Sequence, residues 1–255
     1  MKNCYNAFYE PLRDVENRVA VIRLNSMTTP PHFHRTVELV FVEEGESEVC
    51  VSDEKRTFTS GEIAFVPVYR THSLTPIRFG KSTTLMIPEA YFAEAAKEGK
   101  LAFFALDDVA FNKELFAILQ EITKAVSADN ELLLRGYINV LLGKIFMRYE
   151  PFFKEEKEIR LIARIIAYLD EKFCEKLTIE SVAAHFGYTK YHFSRLFHRF
   201  FQCSFPTYVN RLRVRYIRER SGGAHSTAAV VLDAGFGSLA SYYQFVAKEK
   251  DAPSE

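Results

Sequence analysis

The chain has no apolar run approaching the roughly eighteen residues that a membrane-spanning helix needs, so no membrane is expected among its partners. Its opening residues, MKNCYNAFYEPLRD, hold no apolar stretch of signal-peptide length, and a cytoplasmic location is expected. Cysteine is scarce. Cys4, Cys50, Cys174 and Cys203 are widely spaced and form no C-x-x-C pair, which reads as reduced thiols rather than a disulfide framework. Tryptophan is absent, so the aromatic content is all Phe and Tyr. Net charge is zero, but its distribution is uneven: residues 1–157 carry −4 and residues 158–255 carry +4. Between Lys190 and Arg220 eight basic side chains accompany one acid, Glu219, which points to a basic working surface in the C-terminal part.

What is present divides the 255 residues into two kinds of pattern. Residues 18–87 hold short Val-, Ile- and Phe-rich runs (RVAVIRL, VELVFVEE, SEVCVS, EIAFVPV, STTLMI) separated by turn signals at Pro30-Pro31, Gly45, Ser52-Asp53, Gly61, Pro76 and Gly80. Such spacing predicts a small β-barrel or sandwich. From about residue 89 the apolar residues recur every three to four positions. Leu115, Ile118, Leu119, Ile122 and Val126 mark one helix, and Leu134, Tyr137, Ile138, Leu141 and Ile145 mark a second. Leu133, Val140 and Leu142 widen the second apolar face, enough for one edge to meet the barrel and the other a partner subunit. The expected organisation is an α+β multidomain chain: a barrel over 1–110, a helical dimerisation segment over 111–150, a charged linker over 151–159 and an all-α domain over 160–255.

The all-α part contains a repeat. VAAHFGYTKYHFSRLF (182–197) and VVLDAGFGSLASYYQFV (230–246) each run from a short apolar helix through a Gly and an aromatic to a Ser or Thr and a second amphipathic helix, with Gly187 and Gly235 48 residues apart. Two helices joined by a Gly-containing turn make a helix-turn-helix, whose second helix enters the DNA major groove. In the first copy Thr189 caps that helix, and Lys190, Tyr191, Ser194, Arg195 and His198 fall on its polar side. Arg195 can meet guanine with two hydrogen bonds, Tyr191 can meet a thymine methyl, and Lys190 and Arg199 suit phosphate. In the second copy Ser238, Leu239, Ser241 and Gln244 take the corresponding places, and Leu239 and Ala240 bring no hydrogen-bonding group to base edges. Residues 204–223 form an Arg-rich helix between the copies. These segments resemble the AraC/XylS family of bacterial transcription regulators over residues 160–255, most specifically over 177–213. The resemblance implies two helix-turn-helix units in one domain that binds double-stranded DNA, preceded by an effector-binding domain. It also implies a homodimer, with RNA polymerase as a further partner. Gln202, Ile217, RSGGAHST and Gln244 depart from the family pattern, so the first unit is expected to carry most of the specificity.

His32, His34 and Glu38 share parity on an extended strand, so one face presents all three. The spacing from His32 to Gly45, H-x-H-x3-E-x6-G, resembles the first cupin motif. Gly61, Pro67 and His72 approximate the second, with Tyr69 where a glycine is usual and Pro76 where the pattern ends in Asn. In metal-binding cupins the corresponding three histidines and glutamate hold an ion, and the set suits Fe, Mn, Ni or Zn. Sensor cupins fused to AraC-type domains instead bind small organic effectors without metal. The reading adopted from the residues is a metal-free pocket, with no metal and no cofactor. Its lining is His32, His34, Glu38 and His72, with Tyr69 and Arg23 as weaker members. A bound metal and purely structural polar residues stay open beside it.

The expected function is a ligand-responsive, sequence-specific transcriptional regulator, not an enzyme, with a small-molecule effector for which a sugar is the default by analogy. Two rivals stand beside it. One is a cupin metalloenzyme with an accessory helical domain. The other is a regulator that has lost specific DNA reading and works through a protein partner.

Overall fold

Two strands of unusual length organise the N-terminal half of the computed structural model, which describes residues 8–9, 18–52, 54–92, 104–149, 157–201, 203–221 and 228–250. The chain divides into two compact units, 1–159 and 160–255. Residues 151–156 of the expected linker lie outside the described residues, and helix resumes at Lys157.

In the N-terminal unit the strands are β1 (Phe8–Tyr9), β2 (Ala20–Asn25), β3 (Thr29–Phe33), β4 (Val37–Val51), β5 (Glu54–Thr59), β6 (Ile63–Val66), β7 (His72–Ile87) and β8 (Phe104–Leu106). β4 and β7 run antiparallel along their whole length, from Val37 opposite Ile87 to Val51 opposite His72. Both belong to a single eight-stranded sheet, in which each pairs with further strands along its length. The first half of β4 pairs with β6, which pairs with β8, while its second half pairs with β5. The second half of β7 pairs with β2, and its first half with β3. The result is one bent, largely antiparallel sheet with an inner and an outer face, in keeping with the small barrel or sandwich expected from the sequence.

Three turn signals prove to be something else. Gly45, Pro76 and Gly80 lie inside β4 and β7, where the register between the two strands shifts. Gly45 has φ +81°, and a Cβ there would stand 2.6 Å from the Phe79 carbonyl oxygen; a Cβ on Gly80 would collide with the carbonyl of Glu44. The glycines let two backbones cross closely, so runs that look like separate strands are single bent ones. Pro30 and Pro31 likewise sit within β3, at the irregular register between Thr29 and His32, where no ladder N–H is required of them.

Alternation along β4 sorts the two faces. Val40 and Val42 point inward with Val49, Val51, Phe58, Val66 and Leu74, and fill the barrel. Val37, Leu39 and Phe41 point outward to helices α1 (Val109–Ser127) and α2 (Glu131–Arg148). Leu115, Leu119 and Ile122 of α1 and Ile138, Leu141, Leu142 and Ile145 of α2 complete that outer core. Leu142, expected on the partner-facing edge, is buried in it, whereas Leu133 and Val140 are exposed. Asp108 caps α1 by accepting from the Phe111 N–H and is held by Arg148 at 2.9 Å. Asn112, fully buried, donates to the carbonyls of Gly61 and Leu106 and ties α1 to the sheet.

The C-terminal unit is all helix: α3 (Lys157–Lys172), α4 (Ile179–His185), α5 (Lys190–Phe201), α6 (Phe205–Ser221), α7 (Ala228–Asp233) and α8 (Leu239–Lys250). α6 serves two cores. Phe205 and Tyr208 meet Phe197 of α5, while Val214 and Ile217 pack with Val231, Ala234, Phe236 and Tyr242. The segment RSGGAHST falls largely outside the described residues, at 222–227.

Candidate functional site

The two helical repeats close their turns in the same way. Gly187 (φ +76°) and Gly235 (φ +91°) are left-handed. In the first copy the Gly187 N–H donates to Ala184 and the Tyr188 N–H to Ala183; in the second, Gly235 donates to Leu232 and Phe236 to Val231. This paired bonding satisfies the last carbonyls of α4 and α7 and turns the chain sharply toward the following helix. Thr189 then caps α5, its hydroxyl accepting from the His192 N–H, and Ser238 and Ser241 cap α8 reciprocally at 3.1 and 3.2 Å. The glycines are 48 residues apart, but the caps, and the first buried ring of each second helix (Phe193 and Tyr242), are 49 apart. The second turn is one residue longer.

This register places the expected DNA-binding residues. On α5, Phe193, Phe197 and Phe201 face inward, and Lys190, Tyr191, Ser194, Arg195 and Arg199 are exposed, Tyr191 at 81%. Arg195 makes no ion pair among the described residues, so its guanidinium remains available to a base. Lys190 is paired with Glu180 at 2.5 Å, and Arg199 lies 4.5 Å from the Phe200 ring. On α8 the picture differs from expectation. Leu239 is half-buried against the second core, and the hydroxyls of Ser238 and Ser241 are spent on the cap. Gln244 and Tyr243 are exposed instead. Tyr243 occupies the place of Ser194; an offset of 49 rather than 48 is the signal that identifies it. The Arg-rich flank of α6 is also partly committed. Arg211 binds Glu249 at 2.6 Å, Arg215 lies 3.7 Å from Asp170, and Arg213 donates to the carbonyls of Phe173 and Glu175. Burial pushes the Arg213 pKa down.

In the N-terminal unit β3, β4 and β7 bring together four side chains that are distant in sequence. His32 stands opposite His72 across the β3–β7 pair, and the ligating atoms of His32, His34, Glu38 and His72 all lie within 4.8 Å of one another. All four are buried. Nδ1 of His32 lies 2.8 Å from the Pro30 carbonyl and Nδ1 of His72 lies 2.8 Å from the Arg70 carbonyl. A carbonyl only accepts, so each of these nitrogens carries a proton, and in the neutral ring Nε2 bears a lone pair. Nδ1 of His34 lies between the carbonyl and the hydroxyl of Thr36. Nε2 of His34 and Nε2 of His72 sit 3.0 and 3.3 Å from one Glu38 oxygen. Acceptors thus converge on acceptors, an arrangement that needs either extra protons or a cation at its centre.

Tyr69 lies beside the cluster with φ +60°, which explains why glycine is usual there, and its N–H donates to the His34 carbonyl. Arg23 is not brought to the cluster; it lines an outer cleft on the helix side of the sheet.

Burial, with His72 and His34 nearby, pushes the His32 pKa from 6.5 down to about 3. Burial alone would raise the Glu38 carboxyl, but where the facing rings carry the extra protons, the charge of His72 and the hydrogen bonds that His34 and His72 then donate outweigh it and hold it well below 4.5. In the unfolded chain His32 takes up its proton near 6.5, and in the folded chain it stays neutral to about 3. In that interval the unfolded state binds the extra proton, so stability falls as pH falls, by up to about 1.4 kcal/mol per pH unit. Glu38 adds to the loss below 4.5, where its unfolded carboxyl protonates first. With chelator present, the unfolding midpoint of the N-terminal unit should drop steadily from neutrality toward pH 4. A flat profile would contradict the burial argument.

Two family matches fall one in each unit of the chain. Residues 182–254 match the family described as a helix-turn-helix domain, and residues 19–76 match the cupin domain. The HTH-type transcriptional regulator YbfI of Bacillus subtilis is 23% identical over 203 residues, spanning 74% of this chain and 72% of that protein. Among solved structures, unsaturated fatty acid bound ToxT of Vibrio cholerae aligns over 91% of this chain and 90% of its own, with 12% identity and a TM-score of 0.45. The AraC-like transcriptional activator CuxR aligns over 85% and 81%, with 14% identity and a TM-score of 0.45. No helix among the described residues is long and apolar enough to cross a membrane.

Proposed function

We propose that this chain, an AraC-type regulator joining a cupin domain to a helix-turn-helix domain, reads a defined DNA sequence chiefly through α5 and is switched through its N-terminal unit. The observation that carries the reading is the exposed face of α5, where Tyr191, Ser194 and an unpaired Arg195 project from a helix anchored by three buried phenylalanines. Arg195 reaches guanine, Tyr191 a thymine methyl and Arg199 a phosphate. α8 contributes Gln244 and Tyr243, with less capacity to discriminate bases. Selection of bound duplexes from random sequence should recover a motif, and Arg195→Ala should weaken binding to it by about 1–3 kcal/mol, roughly fivefold to 150-fold. Absence of enrichment at moderate salt would favour a protein-partner role instead.

A second copy of the chain is the proposed occupant of the outer face of α2. Leu133, Val140 and Met147 follow one another at seven-residue spacing and are exposed, Met147 at 91%, with Gly136 and Gly143 set between them so that another helix can come close. Val140→Glu combined with Met147→Glu should convert a dimer to a monomer by sedimentation. Unchanged sedimentation would remove α2 from the interface.

For the His32, His34, Glu38 and His72 cluster the proposed occupant is a divalent transition metal, contrary to the metal-free reading of the sequence. Support comes from the ring protons fixed on backbone carbonyls, from the converging acceptors and from a donor set suited to Fe, Mn, Ni or Zn. A bound ion supplies the positive charge that those acceptors lack. The barrel beside the cluster is filled by Val40, Val42, Val49, Val51, Phe58, Val66 and Leu74, which leaves the sugar analogy without an observation behind it. A metalloenzyme is the second reading, resting on the same four groups; it predicts turnover, which a pure regulator lacks.

A further inference from the structure

The filled barrel raises the question of where an effector binds. A cleft of about 730 Å³ lies outside it, between α1 and the β2, β4 and β7 faces. Its size falls within the range of pockets that take small organic molecules. The floor is apolar: Val109 packs over Gly61, the Phe116 ring meets Phe41 edge-on at 5.1 Å, and Leu119 is buried. The rim is charged. Of its cations, Lys124 is held by Glu121 at 2.6 Å, while Arg23 and Lys113 have no ion pair among the described residues. The one carboxylate in the lining, Glu43, accepts a hydrogen bond from Thr83 at 2.6 Å. Two uncommitted cations against one carboxylate leave an excess of a single positive charge.

We infer that this cleft binds a small organic monoanion, a carboxylate on an apolar body. The fork of Arg23 can grip both carboxylate oxygens, and Lys113 supplies a second charge from the facing helix. The body then lies on Phe116, Leu119 and Val109. A phosphate has less to gain. The start of α1, where backbone N–H groups would favour one, is already served by Asp108. The inference deepens the regulatory reading and rests on it, because the ligand bridges sheet and α1, and α1 packs on α2, the proposed dimer helix. Only a ligand with different affinity for two α1 positions shifts the balance between them.

Calorimetric titration of the full chain tests it, with benzoate and 4-phenylbutanoate as probes and their primary amides as uncharged controls. One acid should bind with one-to-one stoichiometry, and its amide about tenfold more weakly or not at all. Arg23→Gln and Lys113→Gln should each weaken the acid by about tenfold and leave the amide unaffected. Three outcomes overturn the inference: no binding of either acid at millimolar concentration, equal binding of acid and amide, or acid binding that survives both substitutions. The regulatory reading fails separately. A chain that selects a DNA motif without ligand but binds neither acid refutes the cleft alone, and a chain that binds the acid but selects no DNA refutes the reading.

Discussion

Phe197→Ala is expected to destabilise the C-terminal unit by about 3–5 kcal/mol, the range for removing a fully buried phenylalanine. The Phe197 ring is the hub of the first helix-turn-helix core. It stacks on Phe201 at 4.2 Å and meets Phe205, Tyr208 and Phe193 at 5.4, 5.6 and 6.0 Å. Four neighbours on α5 and α6 lose their contacts together, and a buried void is left where the two helices meet. Because native domains are only about 5–15 kcal/mol stable, the loss takes a large share of the unit's margin. It should appear as reduced hydrogen-exchange protection of amides in residues 190–217 while those of β4 and β7 keep theirs. DNA binding falls with it, since Tyr191 and Arg195 ride on the same helix. Protection lowered by less than about 1 kcal/mol would mean that the ring cluster is not what anchors α5.

Metal addition should have an effect of similar size on the N-terminal unit. If zinc, nickel or manganese binds the cluster, a free concentration about a thousand times the dissociation constant stabilises the fold by about 4 kcal/mol. Chelator-stripped protein should therefore unfold at a visibly higher temperature once the ion is returned. Glu38→Gln and His72→Ala should abolish most of that rise, by different routes. The first removes the only anionic ligand and the second opens one corner of the set. His72→Ala also leaves a void, so Glu38→Gln, nearly the same size as the original side chain, is the cleaner comparison. A chain that retains no stoichiometric metal after purification in its presence, and whose unfolding temperature is indifferent to every one of these ions, would return the cluster to a purely structural role.

The helices and both halves of the helical repeat were legible because their physics is local. Apolar spacing, a capping hydroxyl and a left-handed glycine lie within a few residues of one another. What escaped was mostly long-range. Gly45 and Gly80 read as turns until β4 and β7 are seen to cross there, since a close backbone approach looks the same in one strand as a reversal does. His72 was joined to His32 and His34 by family resemblance rather than by spacing, and only the β3–β7 pairing supplies the physical reason. Arg23 was grouped with the histidines on chemistry alone, and the fold puts it in the outer cleft. The arginines of α6 read as one basic flank, yet Arg211, Arg213 and Arg215 find partners on other parts of their unit. Leu239 was counted among the DNA-reading residues and Tyr243 was passed over because the one extra residue in the second turn shifts the match between α5 and α8 from 48 to 49.

The nested pairing of β4 with β7 also has a kinetic consequence. Val37 meets Ile87 and Val51 meets His72, so each rung closes a loop of some twenty to fifty residues. Contacts between elements distant in sequence form slowly, whereas the helical unit is rich in neighbours close along the chain. After dilution from denaturant, the C-terminal amides should become protected first and those of the N-terminal sheet later, leaving an interval in which the two helix-turn-helix units exist without the sheet.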